Sequence, residues 1–214
     1  MSKPKPVFSK DYLIYSVNTE TLDLEFFKTF LTPEELKDLS GLTRSEVRNM
    51  RIFSQGFKRK ILGEYLNYDP RFLTFELSPT GKPSVKTPEN SIFFNLSHAG
   101  HWIFLGISEK FEIGIDVECV KKLDYLPLAK RFFHELEINQ IENSQQPEET
   151  FFKLWCLKES FVKAIGLGLG YGLERFAIDA QTGNFLFVEP KYQYCQLIPI
   201  DNFEKDYFAA VCLA

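Results

Sequence analysis

The sequence lacks the features that mark several large classes of protein. Its four cysteines lie far apart among 214 residues and form no CxxC pair. That spacing argues against a zinc site or a disulfide scaffold and suits reduced thiols. No apolar run approaches the roughly 18 residues that a membrane span needs. The first ten residues, MSKPKPVFSK, contain no apolar core of a signal peptide. We therefore expect a cytoplasmic protein that does not cross a membrane.

The charge balance argues against nucleic-acid binding. The formal net charge is −4, and general nucleic-acid binding calls for a basic surface. Positive charge is nevertheless concentrated in residues 44–60, where Glu46 is the one acid. A local basic strip on an acidic protein indicates a phosphate-rich or acidic partner. Its basic residues are Arg44, Arg48, Arg51, Lys58, Arg59 and Lys60.

The sequence patterns predict a globular α+β protein. It is 44% hydrophobic and holds 22 phenylalanines, which excludes a disordered chain. Helical periodicity predicts long helices over 45–66 and 150–165 and shorter ones over 24–30, 33–39, 126–133 and 135–141. Strands are predicted over 12–17, 72–77, 91–96, 102–108, 113–118, 176–179, 185–188, 195–200 and 207–212. Each half has one long helix and several strands, so we expect two similar lobes, 1–110 and 111–214.

The hexapeptide IGIDVE, residues 113–118, is the most informative strand. Alternation places Asp116 and Glu118 on one face, ~6.5–7 Å apart along the backbone. Two carboxylates so close repel each other unless a positive charge neutralises them. Oxygen ligands suit Mg²⁺, so the pair is a candidate metal site. The alternative is a solvated strand face, which the apolar residues around the pair disfavour.

The predicted helix over 150–165 carries a second pair of charges. Its apolar side chains cluster on one side, and Glu159 and Lys163 lie beside that face, one helical turn apart. Taken alone, they would be a surface ion pair contributing ~0.3–0.5 kcal/mol. Glycines 166, 168 and 170 then end the helix, since glycine adopts the left-handed conformations found there. We expect residues 143–149 to be a polar connection before this helix.

Two further motifs offer groups that could bind phosphate. Ser97 and His98 follow the predicted strand 91–96, and both side chains can donate hydrogen bonds to a phosphate. No GxSxG pattern surrounds Ser97, which disfavours a serine hydrolase. Lys82 lies at the tip of a turn, SPTGKP, where its ammonium could reach a phosphate or be solvated. The glycines of 166–170 follow a helix instead of preceding one, so they do not form a P-loop.

In their order along the chain, these motifs resemble the Sfp-type 4′-phosphopantetheinyl transferases. The motifs are GKP (81–83), FNLSHAG (94–100), IGIDVE (113–118), RFF (131–133) with Glu137, and WCLKESFVKAIGLGL (155–169). The resemblance covers about residues 51–169 well and both ends more loosely. It implies two α+β lobes in one chain, with coenzyme A bound between them, and we expect a monomer because one chain then supplies both sides of the cleft. It also implies an enzyme that moves the phosphopantetheine arm of coenzyme A to a serine of an acyl or peptidyl carrier protein and releases adenosine 3′,5′-bisphosphate.

The resemblance also implies roles for individual residues. Asp116, Glu118 and Glu159 would hold Mg²⁺ together with the pyrophosphate of coenzyme A. Glu159 would act as general base for the carrier serine, directly or through water, and Lys163 would stabilise or protonate the departing bisphosphate. The coenzyme A contacts it implies are Arg59, Lys82, Ser97, His98 (at the 3′-phosphate) and Lys163, and Lys158 is a further candidate. Lys158 projects from the apolar face, so it either turns to solvent or reaches the diphosphate.

The chain departs from the family ahead of the first long helix. Family members often have phosphate-binding lysines there, whereas this chain offers Arg44, Arg48 and Arg51, and which of these replaces which lysine stays open. Two other functions also stay open. The acids alone would permit a metal-dependent hydrolase of coenzyme A or a related nucleotide. A non-catalytic module that binds carrier proteins is disfavoured, because the acids and Lys163 are all present.

Overall fold

The computed structural model describes residues 5–86, 92–201 and 203–214. The helices within them are α1 (Leu24–Lys28), α2 (Pro33–Ser40), α3 (Ser45–Leu66), α4 (Tyr125–Phe132), α5 (Glu135–Glu142) and α6 (Pro147–Ala164). The strands of the first half are β1 (Lys5–Phe8), β2 (Leu13–Asn18), β3 (Thr74–Leu77), β4 (Pro83–Lys86), β5 (Phe93–Ala99) and β6 (Trp102–Ser108). Those of the second half are β7 (Ile113–Cys119), β8 (Ala177–Ile178), β9 (Phe185–Phe187), β10 (Gln196–Ile200) and β11 (Tyr207–Leu213).

Local sequence signals account for the helices of the first half. At the start of α2, Thr32 accepts a hydrogen bond from the Glu35 backbone N–H, while the Glu35 carboxylate accepts one from the Thr32 N–H. Pro33 follows at the first helical position, where its missing N–H costs nothing. The long helix α3 has the predicted bounds and ends at Asn67, which adopts a left-handed conformation with φ 51°.

The helix α6 is longer than its apolar periodicity predicts. It begins at Pro147, so the predicted polar connection over 143–149 is wrong for its last residues. Pro147 occupies a first-turn position, and Glu148 and Glu149 place negative charge at the positive end of the helix dipole. Polar residues here belong to the first turn of a helix and not to a loop. The predicted glycine stop is confirmed, because α6 ends at Ala164 and Gly166 has φ 71°.

Two strand predictions change in a way that affects the candidate site. The strand β5 continues through Ala99, so Ser97 and His98 lie within it and not after it; Ser91, where that strand was expected to begin, lies outside the described residues. The strand β4 was missed, since its short sequence PSVK begins with proline and has little apolar character. It pairs with β3 as a hairpin whose tip is the predicted turn. The strand β1 was also missed.

The two large sheets pack face to face between two long helices. The first sheet has the strand order β1-β2-β6-β5 and the second β10-β11-β7. Ile14 and Phe104 from the first sheet share a core with Ile115 and Val211 from the second. The helix α3 packs on the outer face of the first sheet and α6 on that of the second. The predicted α+β class is thus confirmed. In the described part of the chain, no helix is both long and apolar enough to cross a membrane.

The edges of the two sheets meet where β5 lies beside β7. The Ile115 N–H donates to Asn95 Oδ1 at 2.9 Å, and the Val117 N–H donates to Ser97 Oγ at 3.4 Å. Polar side chains of β5 therefore satisfy backbone groups of β7 that a neighbouring strand would otherwise bind. The predicted alternation of β7 is confirmed: Ile115 and Val117 face the core between the sheets, and Asp116 faces α6.

Gly114 allows α6 to lie directly on β7. A Cβ atom at this position would collide with the backbone of α6 at Ser160 and Ala164. We expect Gly114→Ala to lower the free energy of unfolding by about 1–3 kcal/mol, the range typical of overpacked sites. Urea unfolding measures the effect. Gly170→Ala is the matched control, because nothing lies near its Cβ position. Equal urea midpoints for the two variants would contradict this packing.

Candidate active site

Two elements bring the predicted acids and lysine together. The strand β7 carries Asp116 and Glu118, and α6 carries Glu159 and Lys163. Lys163 Nζ lies 2.6 Å from Asp116 Oδ1 and also donates to Ser97 Oγ at 3.2 Å. Asp116 is buried, whereas the Lys163 side chain keeps 26% of its surface exposed. Lys163 therefore pairs with the acid on the facing strand and not with its helical neighbour Glu159.

Two carboxylate oxygens in this cluster are buried without a hydrogen-bond partner in the described structure. They are Asp116 Oδ2 and Glu159 Oε1. A buried acceptor without a donor is costly, and few occur in folded proteins. Both atoms belong to residues that face the junction of β7 and α6. The site thus has two oxygen acceptors available for a cation or a hydrogen-bond donor.

The electrostatics of the cluster favour an added positive charge. Burial and then the charge of Asp116 raise the pKa of Glu118 to about 7. Burial also raises the pKa of Glu159 to about 7, although Lys163 acts against this rise. For Lys163, burial opposes the charged form, but Asp116 outweighs it and the pKa lies above its usual value. One lysine does not fully offset the buried carboxyl group of Asp116 and the half-buried ones of Glu118 and Glu159.

The donor set fits a hard divalent cation. Carboxylate oxygens are the ligands that Mg²⁺ prefers, and Asp116 and Glu159 each have a buried oxygen without a partner. As they stand, no three acidic, histidine or cysteine side chains of the described residues are grouped closely enough to hold a metal. In this arrangement Lys163 supplies the positive charge at Asp116.

Ser97 does not have the predicted phosphate-binding arrangement. Its hydroxyl is buried and donates to Asp116 Oδ1 at 2.9 Å, while it accepts hydrogen bonds from Lys163 and the Val117 N–H. A serine hydroxyl has one proton to donate, and here it is donated in the hydrogen bond to Asp116. Ser97 therefore orients Asp116 and Lys163. The neighbouring residue on β5, His98, is exposed, so its imidazole is open to a ligand.

The prediction that Lys158 turns to solvent or reaches coenzyme A is wrong in this structure. Lys158 and Glu137 are both fully buried, with Lys158 Nζ 2.6 Å from Glu137 Oε2. The ammonium also donates to the Phe176 carbonyl at 2.8 Å and lies 3.9 Å from the centre of the Phe176 ring. Burial lowers the pKa of Lys158 to about 8, with Glu137 acting in the opposite sense. The pair ties α6 to α5.

Arg59 was also predicted to contact coenzyme A. In the structure it bonds to other groups of the protein instead. Its guanidinium is buried and donates to Glu35 through Nε at 2.9 Å and through a terminal nitrogen at 3.0 Å. The other terminal nitrogen donates to the carbonyls of Pro70 and Leu73. These bonds occupy both edges of the guanidinium and connect α3 to α2 and to the segment before β3. A phosphate would have to displace them.

Other predicted basic residues also have partners within the protein. Lys82 Nζ donates to Glu112 Oε2 and to the Ala164 carbonyl. Arg48, at the start of α3, donates to the Leu42 carbonyl at 3.4 Å. Arg44, the residue before α3, and Arg51 on α3 are exposed. Of the predicted coenzyme contacts, His98 and Lys163 are the ones that the structure leaves accessible.

The sequence alone did not reveal two features of the site. Asn95 and Ser97 lie two residues apart on β5, so alternation could have identified them as one polar face directed at β7. A cavity of about 150 Å³ borders Glu118. Its lining residues are Glu118, Lys121, Leu123, Leu128, Phe151, Phe152 and Trp155. They come from β7, α4, α6 and the segment before α4, and a single local pattern cannot show them.

Comparison with known proteins gives one consistent family. Residues 112–212, which include all three acids and Lys163, match the 4′-phosphopantetheinyl transferase superfamily. Over 194 residues the chain is 28% identical to 4′-phosphopantetheinyl transferase Sfp of Bacillus subtilis, covering 89% of this chain and 85% of that protein. It is 31% identical over 178 residues to 4′-phosphopantetheinyl transferase HetI of a Nostoc species, covering 80% and 75%. A relative from Aneurinibacillus migulanus, 4′-phosphopantetheinyl transferase gsp, is 33% identical over 153 residues, covering 70% and 60%.

The buried Lys158–Glu137 pair gives a test of its structural role. Lys158→Met would leave Glu137 buried without its counter-charge, so we expect a loss of about 3–5 kcal/mol in the free energy of unfolding. Glu137→Gln in addition should recover part of this loss, because the unpaired charge is removed. Denaturant unfolding measures both. Lys153→Met on the same helix is the control and should change stability by less than about 0.5 kcal/mol. If Lys158→Met left stability unchanged and weakened coenzyme A binding, Lys158 would be a contact of coenzyme A and not a structural residue.

Proposed function

Because the chain belongs to the Sfp-type 4′-phosphopantetheinyl transferases, we propose that it transfers the phosphopantetheine arm of coenzyme A to a serine of an acyl or peptidyl carrier protein. The reaction would require Mg²⁺ and release adenosine 3′,5′-bisphosphate. Membership of the family supports the transferase activity itself. The observation that carries the finer proposal is the cluster of Asp116, Glu159 and Lys163, with its two carboxylate oxygens that lack partners.

The proposed reaction uses one base and one cation of this chain. The serine oxygen of the carrier attacks the phosphorus that bears the pantetheine arm, and the bond from this phosphorus to the bridging oxygen of the pyrophosphate breaks. Glu159 accepts the serine proton, for which its Oε1 has no competing partner. Lys163 turns its ammonium toward the departing bisphosphate and offsets the negative charge that develops there.

Asp116, Glu118 and Glu159 are the residues that would hold Mg²⁺. When bound, the ion would supply positive charge to the pyrophosphate and to the surrounding carboxylates. Two properties of these residues support this assignment: their donors are all oxygens, and burial raises the pKa values of Glu118 and Glu159 to about 7. A carboxylate with a raised pKa gains stability as an anion when a cation binds beside it.

We propose that His98 binds a phosphate of coenzyme A, with the 3′-phosphate as the specific candidate. Its side chain is exposed on β5, one residue from Ser97, which contacts both Asp116 and Lys163. Successive side chains of a strand point to opposite faces, so His98 lies across β5 from Ser97, and a coenzyme A held at both His98 and the acids would pass over the edge of this strand. Residues 1–110 and 111–214 would form the two lobes of the cleft. Because one chain supplies both, we propose a monomer.

An intact-mass experiment separates this function from the alternatives. The full chain is incubated with coenzyme A, Mg²⁺ and an apo carrier protein, and the mass of the carrier is measured. We expect the carrier to gain one phosphopantetheine group. Breakdown of coenzyme A with an unmodified carrier would instead identify a hydrolase. No change in either, across carriers of several biosynthetic types, would contradict the transferase proposal and favour a non-catalytic module.

Glu159→Gln tests the proposed base. It keeps the shape of the side chain but removes the charge that accepts a proton, so we expect transfer to fall by about 10²–10⁴-fold. Initial rates of carrier modification measure this, and circular dichroism checks that the fold is kept. Glu149→Gln is the control, because Glu149 lies exposed in the first turn of the same helix. Transfer at a near-normal rate in Glu159→Gln would remove Glu159 from the mechanism.

His98→Ala tests the proposed phosphate contact. A hydrogen bond to a charged group is worth about 1.5–3 kcal/mol, so we expect coenzyme A to bind roughly ten- to a hundredfold more weakly. The rate at saturating coenzyme A should stay close to that of the unsubstituted chain. Calorimetric titration gives the affinity, and His101→Ala, in the turn after β5, is the control. A reduced rate with unchanged affinity would assign His98 to the chemical step.

A further inference from the structure

Lys82 joins the first half of the chain to both elements that carry the candidate site. Its ammonium lies 2.6 Å from Glu112 Oε2 and 2.9 Å from the Ala164 carbonyl oxygen. Glu112 immediately precedes β7, which carries Asp116, and Ala164 immediately follows Lys163 on α6. The Lys82 side chain is 15% exposed, so it is largely enclosed by these partners. A single ammonium thus contacts the start of β7 and the end of α6.

The end of α6 has a carbonyl that its own backbone does not satisfy. The last carbonyls of a helix have no partner within it. Here the N–H groups of Ile165, Gly166 and Leu167 bond to carbonyls of the preceding turn. Lys82 supplies the donor for the carbonyl of Ala164. A cation at the C-terminal end is also favoured by the helix dipole. Lys82 therefore acts as a cap that comes from the other half of the chain.

The hairpin that presents Lys82 is fixed at its tip. The Lys82 N–H donates to Ser78 Oγ at 3.0 Å, and Gly81 has φ 87°, a conformation that favours glycine. The Thr80 hydroxyl donates to the Gly166 carbonyl, which is a second contact between the tip and the end of α6. The tip thus binds the end of α6 through two residues.

The base of the same hairpin belongs to the core of the first half. Leu73, just before β3, and Val85 on β4 are buried in that core. The Phe75 ring packs edge-on against the Phe94 ring of β5, with 5.9 Å between centroids. Phe94 and Ser97 lie on the same strand, and Ser97 contacts Asp116 and Lys163. The hairpin and β5 therefore approach the site as one packed unit.

From these contacts we propose that Lys82 is a positioning residue for the transfer reaction, not a ligand of coenzyme A. It holds α6 against β7 so that Lys163 and Glu159 face Asp116 across the junction. This inference rests on the proposed transferase function in so far as it concerns catalysis. Resemblance to the family implied a phosphate contact for Lys82. In this chain its charge is balanced by Glu112, and a phosphate would compete with that carboxylate.

Four variants of the full chain test the proposal. Lys82→Met keeps the length of the side chain and removes its charge, and Lys82→Arg keeps the charge. Glu112→Gln removes the negative charge that pairs with Lys82. Lys110→Met is the control. The Lys110 side chain is 57% exposed and forms an ion pair with Asp11 and not with the end of α6. Measured quantities are kcat for carrier modification, Kd for coenzyme A, and the hydrogen-exchange rates of the amides at 165–167 without coenzyme A.

We expect Lys82→Met to lower kcat at least tenfold while Kd for coenzyme A changes less than about twofold. Exchange at 165–167 should speed up at least tenfold in the same variant. Glu112→Gln should shift kcat and exchange in the same direction by a smaller factor, and Lys82→Arg should restore most of both. Lys110→Met should change none of these quantities. If Lys82→Met does not fold, Thr80→Val removes the other contact of the tip and should show the same pattern more weakly.

Other outcomes would overturn the proposal. A tenfold weaker Kd with unchanged kcat and unchanged exchange would make Lys82 a coenzyme contact. Faster exchange with unchanged kcat would leave it a structural cap with no influence on the reaction. No change in any quantity would remove both roles. If the unsubstituted chain modifies no carrier, the proposed function fails, while the exchange rates still report whether Lys82 holds the end of α6.

Discussion

The contact between Asp116 and Lys163 is the interaction on which the rest of the site depends. Asp116 comes from β7 and Lys163 from α6, and their charged atoms lie 2.6 Å apart. Without this ammonium, Asp116, Glu118 and Glu159 would leave three carboxyl groups in a confined and partly buried place. Burial raises the pKa values of Glu118 and Glu159 to about 7, which shows how strongly the site resists further negative charge. Lys163 offsets part of that charge and leaves acceptors for a cation.

The geometry of this contact is set by packing on both of its sides. Gly114 lets α6 approach β7 closely, because a side chain there would collide with Ser160 and Ala164. On the other side, Asn95 and Ser97 of β5 satisfy the N–H groups of Ile115 and Val117. The two sheets therefore meet through polar side chains at the place where the acids lie. A site at such a junction can take ligand groups from both halves of the chain.

Sequence periodicity was sufficient to predict the strand and the helix that carry the acids. The alternation of 113–118 correctly placed Asp116 on the face opposite the core, and helical spacing placed Glu159 and Lys163 side by side. The bounds of α3 and the cap at Thr32 were also predictable, because each depends on residues a few positions apart. The start of α6 was not, since PEE is compatible both with a polar loop and with a first helical turn.

The partners of the basic residues could not be predicted in this way. Lys158, Arg59 and Lys82 have the charge and reach that a phosphate contact requires; resemblance implied that role for Arg59 and Lys82, and the place of Lys158 on its helix left the same role open. Each instead bonds to an acid that lies 21 to 30 residues away along the chain. A lysine that closes a buried ion pair and a lysine that binds phosphate have the same local sequence signal. The difference lies in tertiary packing, which single-sequence patterns do not contain.

A double-mutant cycle on Asp116 and Lys163 tests the central interaction most directly. Urea unfolding of Asp116→Asn, Lys163→Met and the double variant gives the coupling free energy between the two side chains. We expect a favourable coupling of about 0.5–3 kcal/mol, as found for residues in one hydrogen-bonded network. If the two effects instead add to within about 0.3–0.5 kcal/mol, the side chains act independently, and the site does not depend on the contact between Asp116 and Lys163.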